Sequence, residues 1–198
     1  MEKELIKKLD VPYHSQFLEV EDYFWNIRSC GGSCMKMCLD YFFEKENKSF
    51  EKSIKDIMEE AGEGGGYDMQ NGFVHDFAVK YFESNNLQSH RVEIDKSVTN
   101  EKELEDKKLE ILEEVLVSLD QDNPVMVSIV KHTLEQNKFH IILLVGYRYE
   151  LDMNSNRSIT SIIYHEPEST DLVKGAYREC SLDIFLENWR GKAIFVSR

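Results

Sequence analysis

The 198-residue sequence has no run approaching the roughly 18 apolar residues of a membrane-spanning helix. Its longest apolar runs, Val125 to Val130 and Ile141 to Val145, have the length of strands, so no bilayer-spanning segment is expected. The opening residues, MEKELIKKLD, lack the apolar stretch of a secretory signal. If Met1 is the native start, a cytoplasmic location follows. Positive charge is in deficit, with 24 Lys plus Arg against 37 Asp plus Glu and a formal charge of -13. A phosphate backbone would be repelled over most of such a surface, which excludes nucleic acid as an expected partner. Cysteine is scarce, and three of the four (Cys30, Cys34, Cys38 and Cys180) fall within nine residues. That is a poor disulfide framework, so reduced thiols are expected. Neither a Gly-x-x-x-x-Gly-Lys-Ser/Thr loop nor a strand-Gly-x-Gly-x-x-Gly-helix unit occurs, and Gly62 to Gly66 reads as a mobile surface loop rather than a nucleotide site. No internal repeat, low-complexity tract or linker breaks the chain.

What is present suits a folded chain: 41% hydrophobic and 11% aromatic residues supply enough apolar area to offset chain entropy. Between Ser29 and Phe43, Cys34, Met35, Cys38, Leu39 and Phe42 recur at i, i+1, i+4, i+5 and i+8, predicting a helix packed along one side. Similar spacing predicts helices over Phe50 to Glu60, Gly72 to Ser84 and Glu101 to Leu119, the last with Leu109, Leu112, Leu116 and Leu119 on one face. Asp122-Asn123-Pro124 stops that helix, and the pattern then turns to β at 125–130, 140–145, 159–164 and 193–196. Segregated helices and strands predict an α+β class. The expectation is one domain over 1–198, helical to about 122 and β from about 123.

Cys30 is the most informative residue. Ser29-Cys30-Gly31-Gly32-Ser33 places a thiol where an irregular segment enters the first apolar helix, and unpaired amides and the macrodipole at a helix N-terminus favour thiolate. Cys34 and Cys38 follow inside the helix stripe and read as small buried hydrophobes. A zinc site built from all three is disfavoured, because successive helical turns set the sulfurs in a row about 5 to 6 Å apart rather than around one ion. A nucleophilic thiol needs a base, and the base an orienting group. His140 opens the most apolar strand, and the next strand ends in Tyr164-His165-Glu166-Pro167-Glu168, so adjacent strands can set His140 beside Glu166. His165 is the rival base, but strand neighbours point to opposite faces, which leaves Glu166 poorly placed to orient it.

In that order the residues resemble a known family: the papain-like cysteine peptidases of the bacteriocin-processing, double-glycine-leader type, in particular their stand-alone peptidase-like relatives. Leu9-Asp10-Val11-Pro12-Tyr13-His14-Ser15-Gln16 resembles the family's opening, and Trp25 with Cys30-Gly31 and Met37 its nucleophile helix. Phe139-His140 through Gly146-Tyr147 resembles its histidine strand, and Tyr164-His165-Glu166-Pro167 its Asp-Pro segment. Tyr67, Gly72-Phe73 and Phe185 to Trp189 fit weaker positions, so the likeness spans roughly the whole chain. Two departures stand out: Gly32 where relatives have proline, and Glu166 where they have aspartate. Neither removes a reactive group.

The resemblance implies a papain-like fold, with the helical N-terminal half and its nucleophile helix packed on an antiparallel sheet. It also implies a thiol hydrolase acting on a peptide or protein substrate without metal or organic cofactor. Cys30 would be nucleophile, His140 general acid and base, and Glu166 the group orienting it. Gln16, with the Cys30 amide, would bind the oxyanion, with Asn26 as the competing donor. The same triad would serve an amidase, isopeptidase or acyltransferase, and a non-catalytic peptide-binding module is the reading from another class. The leader-processing relatives are joined to transporters; with neither a span nor an ATP-binding loop, this chain is not expected to share that role.

Overall fold

A buried helix, α3 (Cys30–Glu44), carries Cys30 at its first position. The computed structural model describes residues 4–70, 72–133 and 136–198. All five residues of the apolar stripe expected on α3 are buried, and so are Met37 and Tyr41 beyond it, because α3 is covered on more than one side. It packs on the sheet strand β6 (Gln136–Leu151) and on α4 (Ile54–Glu63) and α5 (His75–Ser84). Gly32 lets α4 come close: a Cβ there would sit 2.7 Å from the Met58 sulfur. The residue that departs from the family pattern is thus a packing contact.

The remaining elements are β1 (Glu4–Lys8), the single-turn helices α1 (Gln16–Glu19) and α2 (Tyr23–Asn26), the ribbon β2 (Tyr67–Asp68) and β3 (Gly72–Phe73), and β4 (Gln88–Glu93). Then come α6 (Glu101–Asp120), β5 (Val125–Thr133), β7 (Arg157–His165), α7 (Leu172–Gly175), β8 (Arg178–Ser181), α8 (Leu182–Asn188) and β9 (Trp189–Ser197). The main sheet runs β4-β9-β5-β6-β7-β8, with β1 added along β6, and every pairing is antiparallel. One apolar cluster joins α3, α6 and this sheet.

Several elements differ from the periodicity reading. The first half donates two strands, β1 and β4, which are too short and too polar to show as apolar alternation. The second helix starts at Ile54, where Ser53 and Asp56 form a capping box, rather than at Phe50. The third starts at His75 because Gly72-Phe73 pairs with Tyr67-Asp68. On α6 Leu109 is exposed, and Ile111 and Val115 complete the buried face with Leu112, Leu116 and Leu119. The glycine tract is an ordered turn rather than a free loop: Gly62 is helical, Gly64 caps α4, and the Gly66 amide donates to Ala61 O at 2.6 Å.

Gly146 is where β1 crosses onto β6. It pairs with Lys8, and a Cβ there would lie 2.2 Å from the Lys7 carbonyl oxygen, with no flexible side-chain tip to move aside. Gly146→Ala is expected to destabilise the protein by about 1 to 3 kcal/mol, the range for overpacking. Urea denaturation checks it, and an unchanged midpoint would mean that β1 is not held there.

Candidate active site

Cys30 opens α3 after Ser29, whose hydroxyl donates to Trp25 O at 2.7 Å instead of capping the helix, and no acidic residue lies in the first turn. The amide dipoles of that turn therefore act on the Cys30 thiol without a competing side-chain acceptor. Cys34 and Cys38 lie behind it, fully buried, and burial raises both thiols well above their ordinary range. Among the described residues no group of three or more His, Cys, Asp or Glu side chains is arranged to hold a metal ion.

His140 faces Cys30 from β6, opposite Ile129 of β5, and is 1% exposed. Its Nε2 lies 2.6 Å from Glu166 Oε1. Burial alone would lower the imidazole; the hydrogen-bonding and charge of Cys30 and Glu166 outweigh it and raise His140 from 6.5 to about 10. Glu166 is held from several directions. Its Oε1 also accepts from the Glu168 amide at 2.9 Å, its carbonyl from the Tyr13 hydroxyl at 2.7 Å, and its own amide donates to Gly175 O at 2.9 Å. The longer side chain found in place of aspartate is thus accommodated just past the end of β7.

Glu168 is the group the sequence reading did not assign. Its Oε1 lies 3.6 Å from His140 Nδ1, and its side chain is slightly more buried than that of Glu166. Leu143 pairs with His165, and the same antiparallel register carried past the ladder sets Glu168 opposite His140. The signal was present: in Glu166-Pro167-Glu168 the period of two puts both carboxylates on the face of His140.

His165 falls on the other face, as the alternation predicts. Its Nδ1 accepts from the Tyr177 amide and its Nε2 faces Val11 O, both at 3.0 Å. Burial lowers it to about 4, so it is a neutral bridge between two backbone segments. Asn26 is committed as well, its amide nitrogen donating to Gln16 O, Phe17 O and Val20 O. Gln16 is fully buried; its Nε2 donates to Asn26 O at 2.6 Å, and Oε1 has no hydrogen-bond partner. The structure brings Cys30, His140 and Glu166 together, and Gln16 does not line the cleft in front of them. That cleft, about 100 Å³, is lined by Cys30, His140, Tyr67, Phe73, Arg28 and Arg190 among others.

The segment bearing Gln16 is tied to α3 by His14, whose ring sits 2.7 Å from Glu19 and 2.6 Å from Asp40, with Lys36 also 2.7 Å from Asp40. Burial opposes the charge on His14, but Asp40 and Glu19 raise it to about 9. A folded-state value above the unfolded 6.5 adds stability that is complete below pH 6.5 and is lost as pH rises to about 9. The urea midpoint should fall over that window in the wild type, and the fall should flatten in His14→Gln. Parallel profiles would remove His14 as the cause.

A model of the Peptidase_C39 like family matches residues 8–192. Among solved structures, the peptidase domain of Streptococcus ComA, a bi-functional ABC transporter involved in a quorum sensing pathway, is 16% identical over 96% of this chain and 98% of that one, with a TM-score of 0.52. A double glycine motif protease from an AMS/PCAT transporter, solved in complex with the leader peptide, is 11% identical over 96% and 94%, with a TM-score of 0.56. No curated protein matches. The mixed helix and antiparallel sheet is that of papain-like peptidase domains. In this chain no helix among the described residues is long and apolar enough to cross a membrane.

Proposed function

The chain belongs to the Peptidase_C39-like family, and from that premise we propose that it is a thiol-dependent hydrolase cleaving a peptide or amide bond through Cys30, His140 and Glu166. The observation that carries the reading is the buried His140 held at 2.6 Å by Glu166 beside Cys30, a setting in which Cys30 and Glu166 raise the imidazole against the effect of burial. The Cys30 sulfur attacks the substrate carbonyl, and the proton held on His140 passes to the leaving amine as the C–N bond breaks. Water, deprotonated by His140, then attacks the thioester. The C–S bond breaks, the carboxylic acid leaves, and the proton taken from water stays on His140, which restores the Cys30–His140 pair.

The Cys30 amide, at the uncapped start of α3, supplies one oxyanion donor. For Gln16 to supply a second, the Nε2 hydrogen not given to Asn26 has to turn toward the cleft, which Gln16 does not line in this structure; Asn26, with its amide spent on three carbonyls, holds the Gln16 segment instead. Cys30 and Glu166 raise His140 well above 6.5, so the basic limb of kcat/KM is expected several pH units above 6.5.

The test is to incubate the protein with a defined peptide mixture, quench in acid and analyse Cys30 by peptide mass spectrometry. New peptide termini together with an acyl mass on Cys30 are expected. Cleavage that persists in Cys30→Ala would overturn the reading.

A further inference from the structure

The wall of the cleft contradicts the charge of the molecule. In a chain of net charge -13, the described residues lining it include two guanidiniums, Arg28 and Arg190, and two imidazoles, His75 and His140, but no carboxylate. Among the described residues neither arginine takes part in an ion pair. Arg28 donates to Phe24 O at 2.8 Å and lies 4.4 Å over the Phe24 ring. Arg190 donates to Ser128 Oγ at 3.0 Å and lies 3.4 Å from the Phe139 ring centroid. Outside the cleft Arg91, Arg148, Arg157 and Arg198 pair with carboxylates, while Arg178 lies 5.9 Å from the Tyr164 ring centroid.

Arg190 is placed there by the backbone. Val127 pairs with Ala193 but Ile129 pairs with Trp189, so β9 carries extra residues opposite Ser128. Gly191 takes a left-handed φ of +63 within that bulge. Bulges beside active sites commonly re-aim a side chain, and this one turns Arg190 out of the ladder onto Ser128 and the cleft. The guanidinium is half-buried, and the loss of solvation makes its charge harder to hold; among the described residues the field of Glu93 opposes this. His75 reports the same local field: burial first, then the charges of Lys192, Arg91 and Arg190, outweigh Glu93 and lower it to about 4. A partly desolvated cation without a counter-ion is satisfied by an anion brought by the ligand.

We propose that Arg28 and Arg190 form a carboxylate-binding subsite beside Cys30, so that the cleft selects peptides with a carboxylate next to the scissile bond. The global charge would favour basic or neutral peptides through weak long-range attraction; at the cleft the nearer guanidiniums decide. The inference rests on the hydrolase reading for its scissile bond, but its test needs no turnover.

The test compares alkylation of Cys30 by anionic iodoacetate and by neutral iodoacetamide, read by mass spectrometry. The ratio of the two rates is expected to fall about tenfold in Arg28→Gln/Arg190→Gln, and to be retained in Arg28→Lys/Arg190→Lys. In the unmodified protein the ratio should shrink as salt rises from about 0.02 to 0.5 M, since salt screens the attraction. A ratio that stays the same in the glutamine variant and across salt overturns the subsite. Loss of reaction with both reagents in the wild type would instead count against the nucleophile assignment, so the two failures are distinguishable.

The source of the carboxylate is read by protection of Cys30 from iodoacetamide. Acetyl-Gly-Glu-amide presents an acidic side chain, acetyl-Gly-Gly a free C-terminus, and acetyl-Gly-Gln-amide neither. Protection by the first assigns the side chain, protection by the second the terminus. Equal protection by all three, or by none at millimolar concentration, overturns the proposal.

Discussion

Replacing His140 by alanine is expected to lower kcat/KM for peptide hydrolysis by about 10²- to 10⁴-fold, the usual range for a positioned acid and base. His140 stands between the thiol and two acidic side chains, is 1% exposed and lines the cleft, so it is the positioned acid and base whose removal this range describes. Glu166→Gln is the informative companion. It keeps a side chain of the same length beside His140 Nε2 but removes one of the charges that raise the imidazole. The basic limb of the pH profile should therefore move down from about 10, in addition to any fall in rate. Peptide hydrolysis followed from pH 5 to 11 in the three proteins checks both. A limb that does not move would show that Glu166 contributes orientation without charge.

Trp189→Ala is expected to cost about 3 to 5 kcal/mol, the range for removing a large buried aromatic side chain. Trp189 is 1% exposed and stacks on Phe185 with ring centroids 5.2 Å apart. Its indole N–H donates to Lys192 O at 3.0 Å across the bulge that contains Arg190. The substitution opens a cavity between α8 and the sheet and also frees the bulge. Urea denaturation gives the stability change, and a loss below about 1 kcal/mol would mean that neighbouring side chains collapse into the space.

Much of this was legible in the sequence for identifiable reasons. The apolar stripe of α3 and the continuous apolar run of β6 are strong signals because both elements are buried in the core. The position of Cys30 at a helix start and the alternation at Glu166 follow from local rules of capping and pleat. What stayed hidden depends on contacts distant in sequence. β1 and β4 are short and mostly polar and become strands only because β6 and β9 offer them an edge. Gly146 reads as an ordinary strand glycine until β1 crosses it. Arg190 looks like any surface cation until the register slip between β5 and β9 turns it toward the cleft. His165 and Asn26, rivals for the base and the oxyanion donor, are removed from contention by backbone partners that no spacing rule reveals.

The most direct measurement is the rate of alkylation of each cysteine by iodoacetamide across pH 4 to 10, in the wild type and in His140→Ala. Cys34, Cys38 and Cys180 are internal references, all three held above their ordinary range chiefly by burial. Near pH 6 Cys30 should react about tenfold or more faster than the references, and should lose most of that lead when His140 is removed. Cys30 reacting at the same rate with and without His140 would contradict the pairing on which the proposed function rests.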